Sequence, residues 1–325
     1  MAYRFKLQEP LAEGVRRIAL EQIDIAEEKL AAKDDVPTAI HDARRCLKRL
    51  RSLVRLVRPA LGEVAYRREA ERVAGTGRLL SGERDVHVMR QTAAKLESRF
   101  GPLPNGAGKR LQALLAASAA AALAASGADG RRQALQRIRQ TRKFFAGHAL
   151  DGVSFAPIAE GLERSYRKGR RAFRGAYRKP SDDAFHVWRK AVQQHWRHMQ
   201  LVSRGWPEAL SARAGEAKEL SRLLGEDHDH AVLLAHVAQP CSPGLTSADI
   251  AALTSLCRSC QAEIRAQCEP HGARLFAERA DDLKERIETY WSTACRLAQS
   301  APAKEQEAAA KTPAAKRKRL RRAVR

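Results

Sequence analysis

His41-Asp42-Ala43-Arg44-Arg45-Cys46-Leu47-Lys48-Arg49-Leu50-Arg51-Ser52-Leu53-Val54-Arg55-Leu56-Val57-Arg58 is the run on which the fold turns. At about 100° per residue, Cys46, Leu47, Leu50, Leu53, Val54 and Val57 collect on one side of a helix. His41, Arg44, Lys48, Arg51, Arg55 and Arg58 collect on the other, with Arg45 and Arg49 at its edge. A solvated face normally mixes signs so that oppositely charged residues pair one turn apart, and here almost no acid stands among the cations. Stacked like charges destabilise a helix unless a counter-anion lies over them, so the pattern predicts both a helix and an anionic partner.

The same plan returns about 145 residues later. His186-Val-Trp-Arg189-Lys190 answers His41-Asp-Ala-Arg44-Arg45, each shortly after a proline-containing break. In the second copy Ala191, Val192, His195, Met199 and Val202 form the apolar side. His186, Arg189, Lys190, Gln193, Arg197, Gln200 and Arg204 form the polar side. A second pair of segments keeps the offset: Leu80-Ser-Gly-Glu-Arg84-Asp85-Val-His-Val88 and Leu224-Gly-Glu-Asp-His228-Asp229-His-Ala-Val232. The helix before the second copy adds Arg167, Arg170, Arg171, Arg174 and Arg178 at helical spacing.

Outward from these runs, apolar residues recur at three- and four-residue spacing, and alternating β-branched runs are missing. The expected fold is all-α: two helical bundles, residues 1–150 and 151–300, related by an internal pseudo-twofold duplication and facing each other across a basic groove or pore. Helices are expected over 10–33, 38–58, 63–99, 108–126, 130–146, 156–178, 182–204, 207–238, 247–268 and 274–298, with Pro- or Gly-rich breaks between most of them. Residues 301–325 lack a core pattern and read as a disordered basic tail.

The chain has 325 residues with 60 Lys plus Arg against 37 Asp plus Glu, a formal charge of +23. The tail holds +7 of this, which leaves the body at +16, so the folded part is itself basic. Aromatic residues make up only 5%, few for stacking unpaired bases, which disfavours single-stranded nucleic acid. No secretory signal follows Met1-Ala-Tyr-Arg-Phe-Lys, and the Ala-rich stretch 111–126 reads as a packed helix rather than a membrane span. Six cysteines in a chain of this length form no disulfide framework, which points to a reducing cytoplasm.

The sequence is similar to the CHAD family, the helical domain named for its histidines, and the resemblance extends to about residue 298. His41-x-x-Arg44-Arg45-x-x-Lys48-Arg49-x-Arg51 resembles the family's first signature, and His186-x-Trp188-Arg189-Lys190-x-x-x-His195-Trp196 its second. Tyr166-Arg-Lys-Gly-Arg-Arg171 and the two Leu-to-Asp segments resemble further family pieces. The resemblance implies two pseudo-symmetric bundles that bind inorganic polyphosphate through His41, Arg44, Arg45, Lys48, Arg51, Arg55, His186, Arg189, Lys190 and Arg197. The neighbouring helix is expected to contribute Arg167, Arg170, Arg171 and Arg174. The copies differ where Lys48 and Arg51 meet Gln193 and Trp196, and where Arg84 meets His228.

The expected function is therefore non-catalytic binding of polyphosphate or a similar phosphate-rich polyanion in the cytoplasm, with polyphosphate granules as a further expected location. No cofactor, metal or membrane partner is expected. A nucleic-acid or nucleoid-associated role is the alternative, with residues 316–325 making non-specific contact. A metal-dependent HD phosphohydrolase is disfavoured because His41 is the first histidine, and neighbours on a helix point about 100° apart. Two metal-like groups read better as structure: Asp227-His228-Asp229-His230 as a helix junction with Asp229 capping or ion-paired, and Cys257, Cys260, Cys268 and His271 as buried thiols with a nearby histidine.

Overall fold

The structure is a computed structural model that describes residues 3–300 apart from 33, 81, 126–127, 149, 151–153 and 240–243. The tail beyond residue 300, the expected junction around residue 151 and the side chains of Arg84 and Asp85 lie outside the described residues. Every regular element described is helical. In chain order the helices are α1 (Leu11–Ala31), α2 (Val36–Leu56), α3 (Arg58–Leu61), α4 (Glu63–Arg78), α5 (Gly82–Phe100), α6 (Ala107–Ala125) and α7 (Ala128–Gly147). They are followed by α8 (Phe155–Arg178), α9 (Asp182–Leu201), α10 (Pro207–Val237), α11 (Ser247–Leu275) and α12 (Ala280–Ser300), and a 3-10 turn, Pro104–Gly106, precedes α6.

Local chemistry starts the two basic helices. The Asp35 carboxylate accepts from the Thr38 N–H at 3.4 Å at the head of α2, with a proline in the first turn. At the head of α9 the Ser181 hydroxyl accepts from the Ala184 N–H at 3.1 Å, and Asp182 and Asp183 complement the helix dipole. Such caps stabilise a helix by about 1 kcal/mol. The apolar stripes read from the sequence are the ones that go inside: Cys46, Leu47, Leu50, Leu53, Val54 and Val57 from α2 and its end, and Ala191, Val192, His195, Met199 and Val202 from α9 and its end.

Two helix readings change. The stretch 63–99 is two helices, because the chain turns after Arg78 and Leu80 drops into the core. Conversely α11 continues past Cys268 through Pro270 to Leu275. Proline removes one helical donor, yet the end of α11 is held by packing: Gly272 lies so close to Phe173 and Trp188 that a Cβ there would strike both. The Tyr177 hydroxyl also donates to the Arg265 carbonyl at 2.6 Å.

Two groups of buried side chains fill the interior. The larger unites residues from both sides of position 150, including Ile18, Leu50, Leu53 and Ile138 with Leu162, Tyr166, Trp188, Val192, Leu220 and Leu283. Here α1, α2, α4 and α7 pack on one another, α8 packs on α9 and α12, and α2 rests against both α8 and α9. The smaller group joins α5 and α6 to α10 and α11 through Met89, Leu96, Leu111, Leu115, Leu233, Leu253 and Cys257. Close approach of α8 to the end of α2 depends on Gly161, since a Cβ at that position would collide with the Leu56 carbonyl. This crossing packs α2, α8 and α9 against one another.

Candidate anion site

The seam between α2 and α9 is fixed by a buried histidine. His198 Nε2 lies 3.0 Å from the Ser52 carbonyl and Nδ1 lies 2.9 Å from Ser165 Oγ. Burial pushes the ring's pKa down to about 3, so it is neutral, with Nε2–H donating to Ser52 and Nδ1 accepting from Ser165. Beside this stitch the Arg55 guanidinium donates to Gln194 Oε1 at 3.3 Å, a further link from α2 to α9.

Around the seam the cations crowd. Burial holds Arg51 below the ordinary arginine range, and the charges of Arg55 and Arg44 add to the effect. Lys190 on α9 is depressed by burial and then by Arg51, Arg55 and Lys168, with Asp183 the opposing acid. Arg197 is pushed down to about 10, first by burial; the Tyr3 hydroxyl works against the shift, while Arg51, Arg49 and Arg189 reinforce it. Its guanidinium donates to the Gln193 carbonyl at 2.9 Å and lies 5.0 Å from the Trp196 ring. Among the described residues Arg51, Arg55, Lys190 and Arg197 form no ion pair, although most arginines elsewhere on the molecule do. Arg197, at about 10, keeps its charge at neutral pH. Such a set, held on rigid helices and partly withdrawn from water, is suited to charge-assisted hydrogen bonds with an oxyanion.

The expected site residues divide between this cluster and other tasks. His41 and Lys48 are half-buried on α2. Arg44 donates to the carbonyls of Gly77 at 3.0 Å and Leu80 at 2.7 Å, closing the end of α4. Arg45 pairs with Asp42 at 3.4 Å, and Arg167 pairs with Glu163 one turn back. Arg170 donates to the Phe276 carbonyl at 3.1 Å and so finishes α11. Arg171 and Arg174 remain exposed along α8. Arg189 lies over Gly225 of α10, 3.9 Å from where a Cβ would stand. His186 stacks on His228 with ring centroids 4.1 Å apart.

Two participants escaped the sequence reading. Lys168 lies one turn before Arg171 on the same stripe of α8, a signal the spacing does carry. His198 could not be found that way, because its partners Ser52 and Ser165 lie on other helices.

The metal-like groups have other employment. Asp227 lies within continuous α10, not at a junction, and accepts from Arg265 at 2.6 Å. Cys257, Cys260 and Cys268 are buried, with thiol pKa values raised by burial, and His271 contacts Glu216 at 2.8 Å. Among the described residues no three His, Cys, Asp or Glu side chains gather as a metal set. No helix among them is long and apolar enough to cross a membrane.

No curated protein matches the chain. The family model described as the CHAD domain matches residues 17–238, from the first turns of α1 to the end of α10, and leaves α11 and α12 outside. That span contains both capped basic helices, the seam between them and every cation of the cluster, and it is more than half of the sequence: the chain belongs to the CHAD domain family.

Proposed function

We propose that the face formed by α2, α8 and α9 binds inorganic polyphosphate, without catalysing its conversion, and that the two basic helices act as the paired walls of a groove built by pseudo-twofold duplication. The observation that carries this reading is the cluster of half-buried Arg51, Arg55 and Arg197 with exposed Lys190, drawn from both halves of the sequence and lacking carboxylate ion-pair partners. Four cations repelling one another in a partly desolvated seam raise the free energy of the empty state. A linear polyanion relieves that repulsion at several positions at once, and each phosphoryl oxygen adds a short charge-assisted bond. Membership of the CHAD family agrees with this choice of ligand.

Exposed Arg171 and Arg174 extend the cationic surface along α8, which suits a ligand longer than the seam. The reading places the protein in the cytoplasm and at polyphosphate granules. Its rival is duplex nucleic acid held by the α8 stripe together with the basic tail 316–325.

The test is a competition titration of long-chain polyphosphate against duplex DNA at equal phosphate concentration, with the full chain and with a chain ending at residue 300. Replacing Arg51, Arg55 and Lys190 together by Ala is expected to weaken polyphosphate binding at least about a hundredfold, roughly 1 kcal/mol per charge-assisted contact, with the helical circular dichroism retained. Unchanged affinity in that variant refutes the site. Preference for DNA that survives removal of the tail refutes the ligand.

A further inference from the structure

His186 and His228 stand at the edge of the seam, on α9 and α10, with their rings stacked at 4.1 Å and 24°. Both Nδ1 atoms are buried without a hydrogen-bond partner. Unsatisfied polar atoms of this kind are rare in folded proteins and mark places where a further group belongs. The surroundings are cationic. Arg189 and Lys190 bear on both rings, with Asp183 opposing at His186 and Asp182 at His228. Through Lys190 the pair is linked to Arg51 and Arg55 of α2 and to Lys168 of α8.

Asp183 is the acid left over beside His186, while other acids nearby are already paired. Asp182 accepts from Arg258 and Arg265 of α11, each at 2.7 Å. From α5, Lys95 and Arg99 meet Glu226 and Glu263. Two imidazoles in face contact cannot both be charged in such a setting unless an anion joins them.

We propose that the His186–His228 stack is a further contact for the anion bound at the α2–α9 seam, and that capture of the anion draws a proton from solvent into the stack. The inference rests on the anion reading above and adds to it a residue, His228, and a proton. In the empty protein, burial and then the neighbouring cations hold His186 at about 4 and His228 at about 3, so both rings are neutral at pH 7. Phosphoryl oxygens placed against Lys190 reverse the sign of the local potential. A ring then gains a proton, and its N–H donates to the anion. The proton comes from the buffer, no covalent bond forms, and internal phosphoryl groups of the ligand keep their charge throughout.

The experiment is calorimetric titration of the full chain with long-chain polyphosphate at about pH 7.5 and about pH 5.5, at constant ionic strength, in two buffers of different ionisation enthalpy. Wild type is expected to tighten as pH falls, approaching about tenfold per pH unit where one proton is taken up. Proton uptake should appear as a buffer-dependent heat. His186→Asn with His228→Asn, and His186→Phe with His228→Phe, remove both rings of the stack, and these two double variants should bind with pH-independent affinity and no proton uptake.

Histidine ring resonances of wild type give a second reading that needs no variant: those of one ring of the His186–His228 pair should move to the protonated position on ligand addition at about pH 6. Binding by wild type without proton uptake, or full uptake retained in both variants, overturns the proposal while the anion site stands. Failure of wild type to bind at either pH overturns the anion site and this inference with it.

Discussion

On the flank where α10 meets α11, Arg265 sits between Asp227 and Asp182 at 2.6 and 2.7 Å, and Arg222 lies between Glu219 and Glu226. On the seam where α2 meets α9, Arg51 and Arg197 are half-buried, as Arg265 is, and have other cations for neighbours. The same residue type thus serves opposite purposes in one molecule. On the flank its charge is used up inside the fold, and on the seam the charge is kept available for something from outside. A basic overall composition says nothing about which arginine does which. The difference lies in the placement of carboxylates.

The contrast gives opposite signs for equivalent substitutions. Arg265→Ala strands the buried Asp227 carboxylate, and urea unfolding should show a loss of about 3–5 kcal/mol, the usual consequence of breaking a buried pair. A loss below about 1 kcal/mol would mean that the flank is not held by its charges.

Acid gives the next largest effect. His198 titrates at about 3 in the fold against about 6.5 when unfolded, so the unfolded chain binds more protons between those values. The stability this ring contributes is complete above about pH 6.5 and is lost as pH falls towards 3; at pH 5 the loss is about 2 kcal/mol. The urea midpoint should fall from pH 7 to pH 5, and His198→Gln should make that fall shallower.

Arg51→Met tests the seam from the other side. Removing one of several mutually repelling, half-buried charges should raise stability by up to about 1 kcal/mol and the melting temperature with it, while polyphosphate affinity drops. A lower melting temperature would show that Arg51 is satisfied within the fold and would undo the comparison. The smallest effect belongs to Arg222→Ala, which removes two exposed pairs together worth about 0.5 kcal/mol and should leave polyphosphate affinity unchanged.

Much of the architecture is legible from periodicity. The apolar and basic faces of α2 and α9 follow from helical geometry within about twenty residues, and the capping side chains of Asp35 and Ser181 stand immediately before them. The seam was foreseen only as a meeting of two related helices. Its stitch through His198 joins residues 146 positions apart, and no local pattern encodes such a contact. Arg44 and Arg170 carry the same helical spacing as their neighbours, yet each closes the end of another helix, at Leu80 and Phe276. The break after Arg78 and the passage of α11 through Pro270 also differ from the periodicity reading, because local propensity yields to packing against distant side chains.

The sequence alone determined that the chain is helical, that two of its helices repeat a basic plan, and that the protein resembles the CHAD family, since each of these depends on residues close together along the chain. Tertiary structure decided which cations remain without acids, which serve as helix ends, and that His186 meets His228. Those outcomes depend on carboxylates, carbonyls and rings brought near from remote parts of the chain, and electrostatic interaction falls off with distance in space, whatever the separation in sequence.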